Sequence, residues 1–154
     1  MEIRLAKADD IERINHLLYQ VHAVHADKRP DLFIPGEKKY TDGELLELMR
    51  QEDYPIYVAI VDGEVMGYAF CVVQQSSGNN MVPVKTMYID DLCVDESARG
   101  QHIGRGLYEH VLGEAKRLGC YHVTLNVWEC NRAARKFYEA CGLQALKTGM
   151  EKIL

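Results

Sequence analysis

The chain has 154 residues, 47% of them hydrophobic and 27% charged, with a formal net charge of −5. These values suit one domain of ordinary size, residues 1–154, that buries its own core without disulfides or a structural metal. The acidic balance argues against nucleic acid as a partner, because phosphate neutralisation needs a basic face, and no run of about 18 apolar residues marks a membrane span.

The first residues, Met1 to Leu5, lack the basic and apolar regions of a secretory leader. The cysteines are Cys71, Cys93, Cys120, Cys130 and Cys141. Their odd number and the lack of a C-x-x-C pair argue against a disulfide framework or a zinc site. A reducing cytoplasm is the expected setting.

Glu2 to Ala6 alternate like a short strand. Asp9 and Asp10 offer N-cap chemistry to a helix whose apolar face is Ile11, Ile14, Leu17, Leu18 and Val21, fading near His25. Arg29 to Tyr40, with Pro30, Pro35 and Gly36, reads as a loop. Thr41 and Glu44 form a capping box for a short helix through about Gln51. Ile56 to Val61 and Glu64 to Gln75 are strands joined by the hairpin dipeptide Asp62-Gly63. Ser76 to Pro83 is a polar loop, and Lys85 to Val94 is the next strand. After a turn at Asp95 to Gly100, a helix runs from about Ile103 to Leu118 and stops at Gly119. His122 to Trp128 is predicted as a strand, Asn131 to Ala140 as a helix closed by Gly142, and Leu143 to Leu154 as a final strand or bent pair. The order is β-α-α-β-β-β-α-β-α-β, a mixed α+β pattern. Lys85 to Trp128 forms one parallel strand-helix-strand unit, and the rest of the sheet is expected to be mainly antiparallel.

The residues richest in chemistry are Arg99, Gly100, Gln101, His102, Ile103, Gly104, Arg105 and Gly106, between a strand and a helix. The first turn of a helix leaves its amides unpartnered, and its dipole favours an anion there. Glycine lets phosphate approach the backbone, and the two arginines add charge. The spacing matches neither G-x-x-x-x-G-K-S/T nor G-x-G-x-x-G, which argues against a nucleotide or dinucleotide site.

Gln101, Gly104 and Gly106 match the Q/R-x-x-G-x-G/A pyrophosphate signature of the GNAT superfamily of N-acetyltransferases. Asn131 to Leu143 (NRAARKFYEACGL) resembles that family's N-x-x-A-x-x-F-Y-x-x-x-G-F block, and Tyr88 to Asp95 resembles its central strand. The resemblance covers the whole chain in element order and is strongest from about Met87 to Leu143. It implies a twisted, mostly antiparallel sheet of six to seven strands, flanked by about four helices. It also implies acetyl-CoA as cosubstrate, no metal, and transfer to an amine by direct attack in a ternary complex. Relatives often form homodimers, so a homodimer is an expectation here.

Residue by residue, the resemblance gives the backbone of Leu92, Cys93 and Val94 to the acetyl and pantetheine arm. It places an amide near Val94 on the thioester carbonyl, Asn131 beside the same arm, and Tyr138 beside the departing thiolate. A tyrosine of ordinary pKa transfers a proton to a thiolate only uphill, by about 2 kcal/mol, so a hydrogen bond is the simpler role. The amine must shed its proton, and Asp90, Asp91 or a water relay are the candidates for taking it. Strand alternation puts one of the two aspartates in the cleft, and Asp90 shares its parity with Leu92 and Val94. Cys93 has no adjacent histidine to activate it as a nucleophile. His22 and His25, three residues apart, lack a third ligand for a metal. His22 to Tyr40 is the candidate wall for the acceptor. Tyr121 and Trp128 are expected to pack in the core, with a cleft role open for Trp128. Three activities remain in view: a small-molecule amine acetyltransferase, a protein N-terminal or lysine acetyltransferase, and a noncatalytic acyl-CoA sensor.

Overall fold

A computed structural model describes residues 1–154. Its strands are β1 (Glu2–Leu5), β2 (Ile56–Val61), β3 (Glu64–Gln75), β4 (Lys85–Val94) and β5 (His122–Leu125), and its helices are α1 (Ile11–Lys28), α2 (Asp42–Met49), α3 (Ile103–Arg117) and α4 (Arg132–Ala140). The strands lie in the order β1-β2-β3-β4-β5. The first three pairings are antiparallel and β4–β5 is parallel.

Local chemistry accounts for several boundaries. Asp62 and Gly63 both take positive φ, 51° and 78°, as a two-residue hairpin turn of the favoured twist requires. Thr41 and Glu44 exchange side chain and backbone at the start of α2. Asp10 differs from the expected cap. Its carboxylate accepts from the Lys7 amide (2.9 Å) and from both Arg4 terminal nitrogens (2.7 and 3.0 Å), not from the first turn of α1. That ties β1 to the helix entry.

The sheet separates two apolar layers. On one face, Ile14, Leu17 and Leu18 of α1 and Leu45 of α2 pack on Ile56, Val58, Tyr68, Phe70 and Cys93. On the other, Ile103, Leu107, Val111 and Ala115 of α3 pack on Tyr57, Ala59, Ala69, Cys71, Met87 and Ile89. Burial of such side chains, about 1.5–3 kcal/mol each, is the main force holding the helices to the sheet.

Two departures shape the centre of the sheet. Phe70 pairs with Asp91 but Cys71 pairs with Ile89, so Asp90 is an extra, unpaired residue in β4. This is a β-bulge, which bends its strand and changes side-chain parity. Pairing of β4 with β5 also ends at Ile89–Leu125, so β4 runs on to Val94 with its β5 side uncovered. The strand predicted for His122 to Trp128 therefore stops at Leu125, because its ladder partner bends away.

The expected last strand is absent, and the sheet has five strands, not six or seven. Leu143 to Leu154 carries no regular structure. Its stretch Lys147-Thr-Gly-Met-Glu-Lys offers no apolar alternation, and it is tied instead by Arg29, which donates to Glu151 at 2.6 and 3.2 Å. No helix is long and apolar enough to cross a membrane.

Candidate active site

The divergence of β4 from β5 opens a cleft of about 540 Å³. One wall is Leu92, Cys93 and Val94 of β4, the floor is the loop Arg99 to Arg105, and the opposite wall is α4 with Asn131, Phe137 and Tyr138.

The loop is held from behind by Asp95, which is only 5% exposed. Its carboxylate accepts from Arg13 of α1 (2.8 Å), the Ser97 amide (2.9 Å) and the Ser97 hydroxyl (2.8 Å). These bonds hold it well below the usual carboxylate range, the Ser97 amide contributing most. The chain then turns through left-handed residues at Gly100 (φ 83°) and His102 (φ 61°) into α3. No group of the chain accepts from the amides of Gln101, His102, Ile103, Gly104 or Arg105. This run of donors stands at the positive end of α3, whose first turn contains no acidic residue. The chemistry of the set fits a diphosphate.

Not every predicted residue faces the cleft. Gln101 contributes its amide but is absent from the lining. The Gly106 amide is spent on the His102 carbonyl (3.0 Å), and a Cβ there would collide with the Met1 side chain. A Cβ on Gly104 would lie 3.3 Å from the Phe137 ring, so glycine lets α3 and α4 approach at the base of the cleft. Asn131 caps α4 by accepting from the Ala134 amide at 3.2 Å. Arg99 is exposed, while Arg105 reaches the Ala140 carbonyl at 3.4 Å.

Tyr138 lines the cleft with its ring 5.2 Å from Phe137. Burial, and secondarily the charge of Asp91, raise its pKa above the ordinary phenol value. It is thereby a firm hydrogen-bond donor and a reluctant acid. Burial pushes the Cys93 thiol up to about 12, which leaves almost no thiolate at neutral pH and removes it as a nucleophile.

The bulge overturns the parity argument for the aspartates. Leu92 and Val94 pack toward the α3 layer, whereas Asp90 and Asp91 both face the α1–α2 side. Asp90 accepts from the Tyr40 hydroxyl and pairs with Lys39 at 2.9 Å. Asp91 accepts from the Tyr68 hydroxyl at 2.8 Å. Desolvation raises Asp91 to about 6 despite that bond, a value suited to a proton acceptor near neutrality. Its charge is felt by Tyr138, which lines the cleft, and by Tyr40, which lines a second pocket. That pocket, about 350 Å³, lies between α2 and the β3–β4 surface and includes Tyr40, Tyr54, Phe70, Tyr88 and Asp90. Tyr68 and Phe70 read as core from their alternation alone. Only the register of β4 against β3 reveals Tyr68 as the partner of Asp91.

His22 and His25 pack against the Phe33 ring (5.6 and 5.2 Å), and Phe33 meets Trp128 edge-to-face at 5.1 Å. Trp128 is thus joined to the expected acceptor wall but is 45% exposed, and Tyr121, at 75%, is a surface residue and not core.

Residues 18–143 match the model of the Acetyltransferase (GNAT) family. Among curated proteins, a glucosamine 6-phosphate N-acetyltransferase of Arabidopsis thaliana is 27% identical over 99 residues, covering 55% of this chain and 64% of that protein. An uncharacterised N-acetyltransferase of Methanocaldococcus jannaschii is 25% identical over 142 residues, covering 92% of this chain and 60% of that one. The chain thus spans less than two thirds of these relatives' lengths. Among solved structures, a mutant of the BH1408 protein of Bacillus halodurans superposes with a TM-score of 0.96 at 31% identity, over 100% of this chain and 99% of that one. An aminoglycoside N-acetyltransferase, AAC(6')-Iy, in complex with CoA, shares the fold at a TM-score of 0.73 and 16% identity, over 99% of this chain and 98% of that one. With the unpaired amides before α3 and the uncovered end of β4 in one cleft, the family match is decisive: this chain belongs to the GNAT family of acetyltransferases.

Proposed function

We propose that the protein transfers the acetyl group of acetyl-CoA to a primary amine of a small molecule or peptide, by direct attack with both substrates bound. The observation that carries this reading is the row of unpaired amides from Gln101 to Arg105, opening onto the same cleft as the free edge of β4 and the hydroxyl of Tyr138. Acetyl-CoA would supply an activated thioester. The amides before α3 would hold its diphosphate, and the uncovered backbone of Leu92, Cys93 and Val94 would bond the pantetheine arm. An amide of that edge near Val94 would offset charge developing on the thioester oxygen.

The amine enters from the side of Asp90 and Asp91. Its nitrogen forms the new bond to the acetyl carbon while the carbon–sulfur bond breaks. Before the attack the ammonium passes one proton toward Asp91, directly or through water, and thence to solvent. The second, shed from nitrogen as the amide forms, is carried by water to the departing sulfur, so that CoA leaves as the thiol. Tyr138 donates a hydrogen bond to the departing sulfur and keeps its own proton, as its raised pKa favours.

The test is amine-dependent release of thiol from acetyl-CoA across a panel of primary amines, alongside calorimetry of CoA binding. CoA binding with thiol release on amine addition is the expected result. Binding with no release for any amine or peptide would leave only a sensor of acyl-CoA. Failure of CoA to bind would remove the cradle itself.

A further inference from the structure

The second pocket carries information about the acceptor. Its walls are aromatic: Tyr40 stacks on Phe70 at 5.3 Å and 15°, and Tyr54 and Tyr88 complete the enclosure. Asp90 is the only charged residue in the lining. An alkylammonium already stands at that carboxylate: the Lys39 amine lies 2.9 Å from Asp90 and 5.5 Å from the centre of the Tyr40 ring. Carboxylate and ring face together make a cation site of ordinary chemistry.

Resting on the acetyl-transfer reading above, we propose that this pocket binds the acceptor as a monocationic primary amine on an apolar, aromatic body, with its ammonium taking the place of Lys39 at Asp90. The volume of about 350 Å³ is at the small end of ligand pockets and admits one ring with a short chain. A phosphorylated amino sugar is disfavoured. Its phosphate would meet no cation in the lining, and its hydroxyls would be desolvated against rings. Asp90 favours the charged amine on binding, so the nitrogen must shed a proton before it attacks. Asp91, next in the strand, is on the same face to receive the proton.

The experiment uses the whole chain saturated with CoA or acetyl-CoA. Binding of 2-phenylethylamine is measured by calorimetry, and turnover of 2-phenylethylamine, glucosamine 6-phosphate and spermidine by thiol release. The expected result is binding of 2-phenylethylamine and a kcat/KM at least about tenfold above the other two acceptors. Lys39→Met, which removes the internal competitor, is expected to tighten that binding by up to about fivefold. Tyr54→Ala is expected to weaken it while CoA affinity stays unchanged. A preference for glucosamine 6-phosphate or spermidine, or weaker amine binding in Lys39→Met, overturns the proposal. Turnover of other amines without binding of 2-phenylethylamine defeats the pocket assignment and leaves acetyl transfer standing. Binding of 2-phenylethylamine without turnover of any amine does the reverse.

Discussion

Replacing Asp91 with Asn separates stability from catalysis. The carboxyl is raised from 3.8 to about 6 in the folded chain, chiefly by desolvation. Between these values the native state binds more proton than the unfolded state, so the Asp91 contribution to stability falls as pH rises from about 4 to 6 and stays low above. A shift of about 2 units corresponds to at most ~3 kcal/mol of native-state destabilisation at neutral pH, and solvent relaxation around this half-buried group reduces it to about 1–3 kcal/mol. Asn keeps an acceptor for the Tyr68 hydroxyl and never ionises. Asp91→Asn is therefore expected to melt a few degrees higher than the parent at pH 7.5, with that gain reduced to about a third at pH 4.5. Its acetyl-transfer rate is expected to fall at least about tenfold, as for loss of a proton acceptor. The parent's kcat/KM should decline below pH of about 6, and the variant's residual rate should lack that limb. Thermal melts by circular dichroism at the two pH values, with pH–rate profiles, are the assays. A variant less stable than the parent at pH 7.5, or a gain undiminished at pH 4.5, refutes the reasoning.

Tyr138→Phe should lower kcat by about tenfold to a thousandfold and leave CoA affinity within about twofold; equal turnover in steady-state assays excludes the tyrosine from the chemistry. Asp95→Ala strands Arg13 and the Ser97 amide and should cost about 2–3 kcal/mol in urea denaturation at pH 7. Because the Asp95 pKa is lowered in the fold, its stabilisation is full above about pH 4 and drains away as pH drops below that; a penalty unchanged at pH 2 would contradict the assignment. Asn131→Ala should cost about 1 kcal/mol through the lost α4 cap, read as an earlier thermal transition, whereas a neutral effect would mean that the Ala134 amide finds water equally well.

Much of this architecture was legible because its signals are local. Thr41 with Glu44, and Asp62 with Gly63, specify their turns by backbone requirements that few other residues meet. The bounds of β4 and the stop at Gly119 follow from composition and capping. The run of unpaired amides before α3 was readable from glycine spacing and from resemblance together. The placement of Asp90 was not. A bulge arises from the register between β3 and β4, and neither Asp90 nor its neighbours carry a glycine or proline that would announce it. Lys39 and Tyr40 fell within the stretch expected to face the acceptor, yet their partner is about 50 residues away in the chain, a contact that no periodicity encodes. The final segment misled because isolated apolar residues such as Leu146 and Ile153 suggest a strand, while strand formation also needs a neighbour with free backbone groups.

The unpaired residue in β4 works as a counting device. Every side chain before it is assigned to one side or the other by odd or even position, and the extra unit restarts the count. Removing Asp90 alone would leave Ile89 opposite Cys71 and Asp91 opposite Phe70 as consecutive pairs, so Met87 and Ile89 would stay beneath α3 while the local bend is lost. A single-codon deletion here would thus straighten the strand and take away the partner of Lys39 and Tyr40 while leaving the hydrophobic interior in place.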